Sequence, residues 1–124
     1  MKIIDEVLLN NVSAQAKASP RLRMNYNFHQ SLDDKCHRFL NAVEPGTVVP
    51  IHRHPTKDES FVILRGTVRV TTHNDDGAVI GDVVLSWECG GYGVDISKGV
   101  WHMVEALELG SVVFECKDGG VCGA

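Results

Sequence analysis

Apolar residues recur about every fourth position near the start of the chain and every second position after it. The change separates one helix from a β-rich remainder. In residues 3–18 (IIDEVLLNNVSAQAKA), Ile4, Leu8, Val12 and Ala16 define a helical stripe, with Val7 and Leu9 beside it. Asp5 and Glu6 fall in the predicted first turn, where acidic side chains favour the helix dipole. Ser19-Pro20 ends the helix, because the residue before proline avoids helical angles. From Met24 the period is two. Met24, Tyr26 and Phe28 alternate with Asn25, Asn27 and His29, which predicts a strand with one apolar and one hydrogen-bonding face.

Short extended runs then follow one another. CHRFLNAV (36–43) is broken by EPG, and TVVPIHRH (47–54) is followed by ESFVILR (59–65). TVRVTTH leads into NDDG (74–77), whose residues tolerate the positive φ angles of a hairpin turn. AVIGDVVLSW, VDI, VWHMVEAL and SVVFECK complete the set. About eight or nine strands at regular spacing, with no βαβ alternation and no internal repeat, predict an all-β sandwich or barrel. The expected organisation is an N-terminal helix over 1–19, a barrel domain over 20–118, and a flexible tail over 119–124.

Composition narrows the functional classes. With 124 residues, 44% of them apolar, the chain suits one domain with a real core. The net charge of −4 and the scattered Lys and Arg, among them Arg21 and Arg23, argue against nucleic acid. No apolar run approaches the ~18 residues of a membrane span, and MKIIDEVLLNN is not a secretory signal. A cytoplasmic location is therefore expected. Cys36, Cys89, Cys116 and Cys122 form no CxxC and are expected as free thiols; Cys116 with Cys122 makes a poor zinc site.

The stretch HRHPTKDE (52–59) concentrates the chemistry. On a strand, His52 and His54 point the same way and Arg53 points opposite. Glu59 opens the next run, expected to return antiparallel beside the first, on the face of Phe61 and Ile63. His102 lies between Val100 and Val104 on a later run, and a histidine so flanked is expected to be buried with a partner. Three imidazoles and one carboxylate suit one divalent first-row metal ion, and an open coordination position would give Lewis-acid chemistry or a more acidic bound water.

Two motifs carry a family resemblance. Gly46, TVVPI, His52-Arg53-His54, PTKD, Glu59, SFVILR and Gly66 fill every position of the first motif of the cupins. Gly91, YGVDI, Ser97-Lys98-Gly99, VW and His102 follow the spacing of the second, with Ser97 where proline is usual and Ala106 where asparagine is usual. The chain thus resembles the cupin superfamily. That resemblance implies a small jelly-roll barrel (double-stranded β-helix) and a metal such as Fe, Zn, Mn, Ni or Co held by His52, His54, Glu59 and His102. RMNYNFH, RFLNAVEPGT, HRHPTKDESF, LRGTV and KGVWHMVEALELGSVVFECK further resemble the WbuC-type cupin-fold metalloproteins, often associated with bacterial surface-polysaccharide genes.

The resemblance implies a small polar ligand, such as a sugar derivative, but no particular reaction. Metal-dependent isomerase, lyase and dioxygenase chemistry are all compatible with it. A non-catalytic sugar-binding or sensing module with a structural metal is the alternative. A metal-free sugar-nucleotide epimerase fits less well, since it needs a His–Tyr acid/base pair. Asn25, Asn27, His29, Lys57 and Tyr92 are candidate ligand-binding residues; no catalytic residue is assigned. Trp101 with Val62 and Leu64 is expected to form an outer apolar patch, which suggests a homodimer contact or packing between the sheets.

Overall fold

A computed structural model describes residues 1–47 and 49–119. The helix α1 (Glu6–Ala18) starts later than the periodicity suggests. Asp5 is its cap: the residue is extended and its carboxylate accepts the Leu8 N–H at 3.0 Å. The buried stripe is Leu9, Val12, Ser13 and Ala16, so Ile4 and Val7 are left exposed. The helix ends at Ser19, as the Ser-Pro signal predicts.

Eight strands follow. They are β1 (Arg23–Asn27), β2 (Cys36–Val43), β3 (Glu59–Arg65), β4 (Val68–His73), β5 (Val79–Leu85), β6 (Gly93–Ile96), β7 (Trp101–Ala106) and β8 (Ser111–Asp118). They form a five-stranded sheet, order β1-β2-β8-β3-β6, and a three-stranded sheet, order β5-β4-β7. All the strand pairs are antiparallel.

Alternation along β2 and β8 gives the large sheet two different faces. Leu40, Ala42 and Val112 point outward and pack under Leu9, Val12 and Ala16 of α1. Each fully buried Leu or Val side chain in that layer contributes about 1.5–3 kcal/mol. The opposite set, Val43, Phe61, Ile63 and Val113, faces the small sheet and meets Val68, Val70, Leu85 and Ala106. Continuing outward along the same inner face, β2 presents Phe39 and Asn41, and β8 presents Glu115 and Lys117. The apolar core thus gives way to polar groups at one end of the barrel, and the site lies there.

The described residues of the run 47–54 form no strand, because Pro50 and Pro55 interrupt ladder pairing. Only His52 pairs, in a bridge to His102 on β7: each backbone N–H donates to the other's carbonyl, at 3.0 and 2.8 Å. The expectation that β3 returns beside this segment is therefore corrected. β3 lies in the other sheet, between β8 and β6.

Gly66 turns the chain between β3 and β4 at φ +84°, where a Cβ would lie 2.3 Å from Ser111 Oγ and 2.7 Å from Ser111 Cα. Trp101 does not form the expected patch with Val62 and Leu64. It sits on the small sheet, its indole N–H bonded to Asp75 and its ring beneath the Arg53 guanidinium, while Leu64 packs in the layer under α1. No helix among the described residues is long and apolar enough to cross a membrane. Of the expected tail, residues 120–124, Cys122 included, lie outside the described residues.

Candidate metal centre

The cluster joins two stretches of backbone, the HRH segment that carries His52 and His54, and β7. His102 is in β7, and the two-way bridge brings His52 beside it. The His54 carbonyl accepts the Gly99 N–H at 2.9 Å, which ties the HRH segment to the turn before β7. One ring nitrogen from each of His52, His54 and His102 lies within 4.8 Å of the others. Glu59 reaches in from the opposite sheet, with Oε1 3.0 Å from His102 Nε2 and Oε2 3.5 Å from His54 Nε2. The four side chains thus span the gap between the two sheets.

The tautomers are set by the main chain. His52 Nδ1 lies 2.9 Å from the Pro50 carbonyl and His102 Nδ1 lies 2.9 Å from the Val100 carbonyl. A carbonyl can only accept, so in both rings Nδ1 carries the proton, and in the neutral imidazole Nε2 presents a lone pair. His102 is 1% exposed, and its Nε2, although 3.0 Å from Glu59 Oε1, makes no aligned hydrogen bond among the described residues. A buried polar nitrogen in that state is costly unless something else meets it. A cation held by three imidazole nitrogens and a carboxylate oxygen fits this donor set.

Electrostatics agree with neutral imidazoles at two of the positions. Burial holds His52 and His54 below the ordinary histidine range, against the attraction of Glu59. At His102, burial is outweighed by the adjacent Glu59 carboxylate and the Val100 carbonyl, and the net direction is upward. Burial likewise opposes ionisation of Glu59, but His102, His54 and Lys117 outweigh it and hold the carboxyl low.

The group opens into a cavity of about 590 Å³, lined also by Arg21, Arg23, Asn25, Asn41, Glu115 and Lys117. Glu115 lies deep in the wall. Burial, and next the Glu59 charge, push its carboxyl up to about 7. The Asn41 amide donates to Glu115 Oε1 at 3.0 Å.

A family model described as a domain of unknown function, DUF6016, matches residues 4–85, about two thirds of the chain. The chain belongs to the DUF6016 family. The match takes in His52, His54 and Glu59 and ends before His102. No curated protein matches this DUF6016 chain. Among solved structures, TT1209 from Thermus thermophilus is 20% identical at a TM-score of 0.68, over 96% of this chain and 98% of that one. The Cnp3 cupin domain of Schizosaccharomyces pombe is 11% identical at 0.61, over 80% and 61%. The capsular polysaccharide assembling protein CapF of Staphylococcus aureus is 22% identical at 0.65, over 82% of this chain but 27% of CapF. At these identities the likeness is one of fold, and the DUF6016 chain has the cupin fold.

The five candidate ligand-binding residues are dispersed in the DUF6016 chain. Asn25 lines the cavity. Asn27 shares its strand face but is exposed beyond the lining. His29 is buried elsewhere: its ring stacks on His37 at 4.3 Å, and its Nδ1 accepts the Arg38 backbone N–H at 3.1 Å. Lys57 is buried in the turn before β3, outside the lining. Tyr92 is 54% exposed, edge-on to Trp87. Sequence reasoning passed over Glu115, Lys117, Asn41, Arg21 and Arg23. The signal for Glu115 and Lys117 was present, because they continue the alternation of the inward-facing Val113.

Proposed function

We propose that this protein is a divalent-metal cupin of the WbuC type that acts on a small, hydroxyl-rich ligand, such as a sugar derivative in bacterial surface-polysaccharide metabolism. His52, His54, Glu59 and His102 hold the ion. The observation that carries the reading is the convergence of these four side chains on one cavity, with the buried His102 Nε2 left without a hydrogen bond. The complete first cupin motif and the spacing of the second support it, and so does the likeness in fold to CapF.

A bound ion would supply Lewis acidity at the inner end of the cavity. The chain's own groups supply the rest. Glu115, with a carboxyl at about 7, can hold or release a proton close to neutral pH, and Asn41 fixes its orientation. Asn25 and Asn41 offer amides to ligand hydroxyls. The buried walls around His102 and Glu59 limit the access of bulk water. An open cavity beside the four groups favours a working site over a purely structural one.

The test is elemental analysis of protein purified without a metal-affinity tag, on wild type, His52→Ala and Glu59→Ala. About one ion per chain is expected in the wild type, with loss in both variants. Equal metal in wild type and His52→Ala would remove the assignment.

A further inference from the structure

Arg21, in the turn that links α1 to β1, and Arg23, the first residue of β1, both line the cavity. Between them stands Leu22 at φ 55°, the one non-glycine residue with positive φ among those described. That conformation is uncommon for leucine and costs about 1–2 kcal/mol. The turn is nonetheless pinned. Leu22 N–H donates to the Ser19 carbonyl at 3.0 Å, its own carbonyl accepts the Glu44 N–H at 3.0 Å, and the Thr47 hydroxyl bonds the Arg21 carbonyl at 3.2 Å. The backbone is thereby held in a shape that sets both arginines on the same cavity.

Their guanidinium groups form no hydrogen bond or ion pair among the described residues. Other arginines in this chain are well satisfied. Arg65 bonds Asn10, Ser13 and the Gly110 carbonyl, and Arg69 grips Asp82 with two nitrogens. The Arg21–Arg23 pair is instead mutually repulsive: burial and then the Arg21 charge hold Arg23 below its ordinary value. Lys117 adds a third cation to the lining, its ammonium 6.0 Å from the centre of the Phe39 ring. Against these three cations stand only the carboxyls of Glu59 and Glu115. A chain of net charge −4 has gathered unpaired positive charge in its cavity.

We propose that Arg21 and Arg23 form an oxyanion-binding end of the cavity, which takes the carboxylate or phosphate of a small hydroxylated molecule. The rest of that molecule extends past Asn25 and Asn41 toward the His52–His54–Glu59–His102 group. Planar guanidinium groups suit either anion through paired N–H donors. A volume of about 590 Å³ suits a molecule of monosaccharide size. This assignment rests on the reading of the cavity as the ligand site.

The experiment is calorimetric titration of the protein as purified, its metal content measured on the same sample, with glucuronate, glucose 6-phosphate and glucose. At least one of the two anions is expected to bind, and glucose to bind at least about tenfold more weakly. Arg21→Gln/Arg23→Gln should weaken the anion about tenfold or more with metal content and melting temperature unchanged, and Arg23→Lys should retain part of the affinity. Preference between the two anions identifies the group recognised. The proposal is overturned if glucose binds as well as the anions, if the double variant binds like wild type, or if neither anion binds at about millimolar concentration. Anion binding that survives in a protein whose metal content is untouched by His52→Ala would leave the arginine pair standing while removing the metal assignment.

Discussion

Replacing Glu115 by Gln should stabilise the metal-free protein, and the gain should grow with pH. The native carboxyl is raised from its usual 4.5 to about 7, first by burial and then by the Glu59 charge. A raised acid pKa means that the folded state holds this proton more tightly than the unfolded chain. Below the unfolded value both states are protonated and nothing is lost. Between about 4.5 and about 7 stability falls as pH rises, and above that the full penalty remains. At about 1.36 kcal/mol per pH unit, the penalty reaches about 3 kcal/mol. Gln does not ionise, and it keeps an oxygen for the Asn41 amide. Its own N–H₂ can meet Asn41 Oδ1, which is buried without a partner.

The assay is urea unfolding of chelator-treated wild type and Glu115→Gln across this range. The stability difference should widen by about 2 kcal/mol between about pH 5 and about pH 8. Taking the difference cancels, to first order, the opposing contributions of His52 and His54, whose lowered values act in both proteins. A pH-independent difference would refute the reasoning. Saturation with zinc should shrink the widening, because a cation beside Glu59 offsets part of the repulsion.

Gly66→Ala should destabilise by about 2 kcal/mol or more, since it strains a φ of +84° and drives a methyl into backbone and side chain of Ser111; a urea midpoint unchanged from wild type would contradict it. The Cys36 and Cys116 thiols lie 3.6 Å apart on the outer face of the β2–β8 pair. Glutathione disulfide should oxidise them to an intramolecular disulfide, two electrons and two protons passing to two glutathione thiols, and Cys36→Ser should abolish that product in a peptide mass map.

Extended runs bounded by turn residues were the most legible part of the chain. Residues 36–43 and 59–65 coincide with β2 and β3; β3 buries every second side chain, whereas β2 packs both faces toward Val43, between α1 and the small sheet. The helix stripe read slightly out of phase, because the face packed on Leu40, Ala42 and Val112 is that of Leu9, Val12 and Ala16, which leaves Ile4 and Val7 exposed. The HRH segment misread as a strand for a different reason. Its alternation is real, but two prolines leave it only a bridge to His102, and the route from His54 to Glu59 crosses between sheets.

The four side chains singled out by spacing do meet, and three of them approach through that bridge and turn rather than through a common ladder. What spacing could not supply is the remainder of the cavity wall. Arg23, Asn41, Glu115 and Glu59 come from β1, β2, β8 and β3, which lie side by side although their order in the sequence is different. The register that sets Asn25 opposite Asn41, and Lys117 opposite Glu59, is a product of strands closing on one another over long separations. A basic pair that looks incidental along the chain therefore becomes part of the same cavity wall as a buried carboxyl group and a candidate ion site.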